Sequence, residues 1–189
     1  MKEIIYFNKA FKPIDKEYFN NYGGDKYSDI YLQYTTNPKI VIKDLLGHGI
    51  YFKKLLDVGC ASGEVVRDFR RLGIDAYGIE NNKTILKRCV VPKYCTFGDM
   101  YDLSAIKDNT FDVIYTNSLM YAWPMEILKI LQAFHRITTH VVYLCCPFLD
   151  TILDLNNDLY RTFIAKESWW DQQFKEAEFK KVSTNIYTK

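Results

Sequence analysis

Leu55-Leu56-Asp57-Val58-Gly59-Cys60-Ala61-Ser62-Gly63-Glu64-Val65-Val66 is the stretch from which the rest of the chain can be read. LLDV (55–58) is short, apolar and β-compatible, so it predicts a buried strand. Gly59 permits a tight turn and lets backbone come close to a ligand, and Gly63 lets a helix start beside the sheet, over about 63–72. Working outward, AYGIE (76–80) reads as a strand, 82–88 as a short helix, and YCTF (94–97) and DVIYT (112–116) as strands. Pro124 opens a helix to about 137, and VVYLCC (141–146) is the fifth strand. Helical pieces near 151–164 and 167–177 and one last strand near 180–187 follow. On the other side, Asn37–Pro38 has the character of a cap and first-turn proline opening a helix over 38–47. Strands alternating with helices predict an α/β fold, a Rossmann-like, doubly wound, mostly parallel sheet.

The chain has 189 residues, 48% of them hydrophobic and 25% charged, which predicts one folded domain and excludes a disordered or fibrous chain. Within it, 1–36 forms an aromatic-rich arm with a Gly23–Gly24 pair, and 37–189 the Rossmann-like core. The net charge is only +2, a weak electrostatic case for a nucleic-acid partner. No apolar run approaches the roughly 18–20 residues of a membrane span, and MKEIIYFNKAFK has no apolar signal core. A soluble, cytoplasmic protein without a membrane partner is therefore expected. Cys60, Cys89, Cys95, Cys145 and Cys146 show neither CxxC pairing nor metal-ligand spacing, so they are expected to be buried thiols, with no metal site.

Glu80 ends the second strand, 23 residues after Asp57, where a carboxylate can accept from both hydroxyls of a ribose. A nucleoside-containing cofactor follows. A dinucleotide would need Gly-x-Gly-x-x-Gly, but Ala61 and Glu64 hold the second and third glycine positions, and no Gly-Lys-Ser/Thr is present for a P-loop. A cofactor with adenosine and an amino-acid tail fits better than one with a pyrophosphate.

LLDVGCASGEVV resembles motif I of the class I S-adenosylmethionine-dependent methyltransferases. Glu80 resembles that family's acid after the second strand, and Asp99 in FGDM its acid after the third, which contacts adenine. FDVIYTNSLMY (111–121) resembles the fourth strand and the loop lining the methyl-transfer site, and SWWDQQFKEAEF (168–179) a late W-x-x-x-F-x-x-A-G-F segment. The resemblance covers about 38–180. It implies S-adenosylmethionine as cofactor, S-adenosylhomocysteine as product, and a cofactor shell of Asp57, Gly59, Cys60, Ala61, Gly63, Glu80, Asn81, Asp99, Met100 and Asn117. Tyr121, Asn117 and Tyr22 are the candidates for a catalytic role.

The chain departs from the family at its end. Class I enzymes finish with a hairpin and seven strands, whereas one strand fits after Phe179, so six are expected, with a dimer partner over the open edge. Glu178 stands where A-G-F has glycine, and Thr138-Thr139-His140 replaces a glycine-rich turn. His135, Arg136 and His140 precede the fifth strand and should lie away from the chemistry, while Pro147, Phe148 and Asp150 follow it and should face the site.

Neither the Pro-Cys nucleophile of cytosine methylases nor the Asn/Asp-Pro-Pro-Tyr/Phe of amino-nitrogen base methylases is present. The leading reading is methyl transfer to an oxygen or nitrogen of a small molecule or sugar, by a monomer or homodimer, with Tyr22, Tyr27, Tyr31 and Tyr34 as an acceptor-side cover. The alternatives are a protein or nucleic-acid acceptor, with Lys53-Lys54, Arg70-Arg71 and Lys87-Arg88 as its basic doublets, and a non-catalytic binding module.

Overall fold

The computed structural model of the chain describes residues 4–7, 37–145 and 160–189. After strand β1 (Ile4–Phe7), helix α1 (Pro38–Gly47) starts at a cap of the expected kind: the Asn37 side chain accepts from the Lys39 amide at 3.0 Å. Strand β2 (Lys54–Val58) enters the glycine loop and helix α2 (Glu64–Arg71) leaves it. Strand β3 (Asp75–Glu80), the short helix α3 (Lys83–Leu86), β4 (Cys95–Phe97) and β5 (Phe111–Thr116) follow. Two 3-10 turns, Leu119–Tyr121 and Pro124–Glu126, precede helix α4 (Ile127–Ile137), which passes directly into β6 (Thr138–Leu144). The chain closes with β7 (Phe163–Ala165), α5 (Glu167–Glu176), β8 (Lys180–Ser183) and β9 (Ile186–Thr188).

The main sheet has seven strands in the order β4-β3-β2-β5-β6-β9-β8. The first five run parallel, and the β8–β9 hairpin adds antiparallel to β6. The expected count of six is thus corrected to seven. Residues 180–188 fold back at Thr184–Asn185 into two strands of four and three residues, too short to show separate alternation and joined by a turn without Gly or Pro. The edge that would have called for a dimer partner is β8, whose exposed Lys180 and Lys181 oppose pairing with another chain.

A second correction concerns 151–164. Residues 151–159 lie outside the described residues, as do Cys146, Pro147, Phe148 and Asp150, but 163–165 are a strand, β7, paired antiparallel with β1. Phe163 and Ile164 are good strand formers, and no single-sequence pattern could have shown β1 as their partner.

Alternate residues along each central strand enter opposite cores. Leu55, Val113, Val141 and Ile186 face α1 and α2, with Val41, Leu45, Val66 and Phe69. Leu56, Ile114, Val142 and Tyr187 face α4 and α5, with Ile130, Phe134, Trp170 and Phe174. Helices therefore cover both faces. From β2 the chain winds outward through β3 to β4, and from β5 the other way to β6, so the order reverses between β2 and β5. A crevice at the carboxyl ends of those strands is where open α/β sheets bind ligands. Among the described residues no helix is long and apolar enough to cross a membrane.

Candidate cofactor and methyl-transfer site

The ends of β2 and β5 are tied together below the crevice. The Val58 carbonyl accepts from the Thr116 hydroxyl at 3.0 Å and from the Ser118 hydroxyl at 2.8 Å. Gly59 then turns with φ +80°, and a Cβ there would stand 2.6 Å from the Ser118 Cβ, so the turn admits glycine alone. The Gly59 and Cys60 amides both donate to the Ile79 carbonyl, at 2.9 and 3.0 Å, which holds the loop against the end of β3. Ala61 sits at φ +48° and Gly63 at φ +79°. The alanine in the second glycine position keeps the left-handed backbone a glycine would take, at a strain of about 1 kcal/mol.

Glu80 offsets that strain. Its Oε2 accepts from the Ala61 amide at 3.0 Å and its Oε1 from the Asn82 amide at 2.8 Å, with the residue 8% exposed. Burial raises its carboxyl above the usual range, against the pull of the Asn82, Ala61 and Asn81 amides; the charge of Asp99 adds to the rise. Asp57, 1% exposed beneath the loop, has an Oδ2 with no hydrogen-bond partner among the described residues. Burial holds its carboxyl well above the ordinary value, and Cys95 and Glu80 add to this.

The other expected residues follow neighbouring strand ends. Asn81 is exposed just past β3, and Asp99 and Met100 are half-buried past β4. Asp99 closes its own turn, its Oδ1 accepting from the Tyr101 amide at 3.1 Å, and Met100 packs against the α4-side core. Asn117 and Tyr121 are half-buried past β5. Tyr22 lies outside the described residues. Four adjacent parallel strands thus deliver their carboxyl-end residues to one edge of the sheet.

Residues 56–146, from β2 to beyond the end of β6, match the methyltransferase domain family. The chain carries a methyltransferase domain. Methyl transfer is the chemistry of that domain. No curated protein matches it in sequence. Solved structures share its fold at low identity. A SAM-dependent methyltransferase from Archaeoglobus fulgidus is 18% identical with a TM-score of 0.64, over 77% of this chain and 70% of that one. A Pyrococcus horikoshii protein is 16% identical with a TM-score of 0.64, over 92% and 97%. A S-adenosylmethionine-dependent methyltransferase from Clostridium acetobutylicum is 10% identical with a TM-score of 0.67, over 87% and 96%.

The donor set at this edge suits S-adenosylmethionine, the cofactor that the resemblance of the glycine loop implies. S-adenosylmethionine carries a sulfonium, an ammonium and one carboxylate, a net positive charge. Asp57, Glu80 and Asp99 make this edge acidic, and the orphaned Oδ2 of Asp57 has unused accepting capacity. Two of the three basic doublets sit elsewhere, while Lys87-Arg88 precedes Cys89 and Val90, whose amide donates to the Ser62 carbonyl of the loop at 2.9 Å. Lys53-Lys54 start β2, and Arg70-Arg71 end α2 at the opposite edge, where Arg70 bonds Asp75 at 2.8 Å and lies 3.4 Å from the Tyr94 ring centre. His135 and Arg136 also lie at that far edge. The His135 ring meets Phe179 edge-on at 5.1 Å, and Arg136 bonds the Ile106 and Leu103 carbonyls at 2.7 Å.

Ser118 and Thr116 are the residues of this site that sequence reasoning missed. Their work is to bond the Val58 carbonyl and to fill the space over Gly59, and neither leaves a spacing signal.

Proposed function

We propose that this methyltransferase acts on an oxygen or nitrogen of a small molecule or sugar. In this reading Asp57, Gly59, Cys60, Ala61, Gly63, Glu80, Asn81, Asp99, Met100 and Asn117 hold the cofactor. The observation that carries the assignment is Glu80: a buried carboxylate at the crevice edge, fastened to the loop by one oxygen and to its own turn by the other. Each oxygen retains a lone pair for a ribose hydroxyl. When bound, S-adenosylmethionine supplies an electrophilic methyl carbon. The chain's part is to align the acceptor, exclude water, and take a proton where the nucleophile needs it lost. In this reading Asn117 and Tyr121, which follow β5, position the acceptor. A small acceptor is favoured by the modest net charge and by the place of Lys53-Lys54 and Arg70-Arg71 at the far edge from the crevice.

Calorimetry with S-adenosylhomocysteine on the wild type and Glu80→Ala tests the site. The variant should bind about 1.5–3 kcal/mol more weakly, since a charged hydrogen bond is lost and the Ala61 amide is left unpaired. Unchanged affinity would overturn the assignment. Release of S-adenosylhomocysteine with small hydroxyl and amine compounds, but not with RNA or protein, would support the acceptor class; the reverse would sink it.

A further inference from the structure

Three of the five cysteines converge on the cofactor loop, a feature the methyl-transfer reading leaves unused. Cys60 is the second residue of the loop and is 2% exposed, while Cys89 and Cys95 are half-buried. The site for their sulfurs is built by two glycines. At Gly78 in β3 a Cβ would stand 2.7 Å from the Cys60 Cβ and 2.5 Å from its sulfur, so the absent side chain is what lets Cys60 lie over the strand. Gly78 is the direct register partner of Cys95 in parallel β4. Partners in a parallel pair point to the same face about 4.8 Å apart, which sets the Cys95 side chain beside Cys60. At Gly63 a Cβ would stand 2.8 Å from the Cys95 sulfur and 2.9 Å from that of Cys89.

We propose that Cys60 and Cys95 form an oxidisable dithiol, a modification site at which a hydroperoxide produces a disulfide that locks the cofactor loop to β4. This rests on the assignment of the loop to the cofactor. Cys95 is the attacking group. Hydrogen bonding to Cys60 and Cys89 lowers its pKa against the effect of burial, which favours the thiolate, whereas Cys89 is pushed up to about 11 and Cys60 is also raised. The Cys95 sulfur attacks one peroxide oxygen, the O–O bond breaks, and an alcohol or water leaves, giving a sulfenic acid. The Cys60 sulfur then displaces the hydroxyl, which takes a proton and leaves as water. Two thiols have lost two electrons and two protons, and the peroxide has accepted them. Among the described residues no group of His, Cys, Asp or Glu is arranged to hold a metal ion, so thiol redox chemistry fits the trio better than metal binding.

The test uses the full chain, reduced, then treated with hydrogen peroxide, then returned to dithiothreitol. Peptide mapping without reduction should find Cys60 joined to Cys95, and S-adenosylhomocysteine affinity should fall at least tenfold and recover on reduction. Cys95→Ser should bind the reduced protein's ligand normally and ignore peroxide, and Cys89→Ser should stay sensitive. The wild-type cycle needs no variant to fold. A map with no bridge or a bridge between other cysteines overturns the proposal, as does a bridged protein of unchanged affinity. If the reduced wild type does not bind S-adenosylhomocysteine, the loop assignment fails, and the map alone then decides whether the dithiol exists.

Discussion

Asp57 is the residue at which fold and function conflict. Its carboxyl is buried with an oxygen that has no partner among the described residues, and burial holds its pKa well above the ordinary value. Between the unfolded value near 3.8 and the raised folded value, the folded state keeps a proton that the unfolded state has released. Stability therefore falls as pH rises through that window, and the cost is fully present above the folded pKa. Asp57→Asn should remove this slope: its melting temperature should match wild type near about pH 4 and exceed it near about pH 8, while S-adenosylhomocysteine binding weakens. Thermal melting across that range checks it, and parallel curves would refute it. The positions of Gly59 and Gly63 were legible because a positive φ demands a residue type, and that of Glu80 because it ends a strand beside the glycine loop. Ser118 was not, since its partner Gly59 lies far along the chain.

Element ends carry the next lesson. Helix α5 stops at Ala177, and Glu178 takes φ +68°, the left-handed conformation for which helix ends favour glycine. The Glu178 amide donates to the Lys175 carbonyl at 3.0 Å and that of Phe179 to the Phe174 carbonyl at 2.9 Å, so the turn is formed normally around an ill-suited residue. The departure from A-G-F is one of sequence alone. Glu178→Gly should stabilise the protein by about 1 kcal/mol, read from denaturant unfolding; no gain would mean that the glutamate side chain offsets its own strain. The turn of α4 into β6 behaves similarly: without glycines, the Thr138 hydroxyl lies within hydrogen-bonding reach of the Phe111 and Asp112 carbonyls at 3.2 and 3.1 Å. The β8–β9 hairpin was misread as one strand because its identity comes from pairing with β6 and from Tyr187 stacking on Phe174 at 3.7 Å between ring centres.

At the scale of the molecule, the β1–β7 ribbon stands beside the segment after β5 rather than in the main sheet. Thr162, just before β7, donates from its amide to the Met120 carbonyl at 3.1 Å and from its hydroxyl to the Ala122 carbonyl, fixing the ribbon to the segment after β5. Removing residues 1–30 deletes β1 and leaves β7 unpaired. Such a chain should keep its main melting transition, because the described residues of the two cores all lie beyond residue 30, yet lose methyl transfer to an acceptor that the full chain uses. Equal release of S-adenosylhomocysteine by both forms would show that the N-terminal segment serves no acceptor-side role.

The sequence by itself determined the parallel core, the place of the glycine loop and the acid that follows the second strand. These rest on local physics: apolar periodicity, glycine's access to positive φ, and the short reach from a strand end to the next turn. Only the tertiary structure decided the hairpin that completes seven strands, the pairing of residues 4–7 with 163–165, the seal of Ser118 over Gly59 and the meeting of Cys60, Cys89 and Cys95. Each depends on groups distant in sequence occupying one small volume, and close packing between distant segments leaves no periodic trace along the chain.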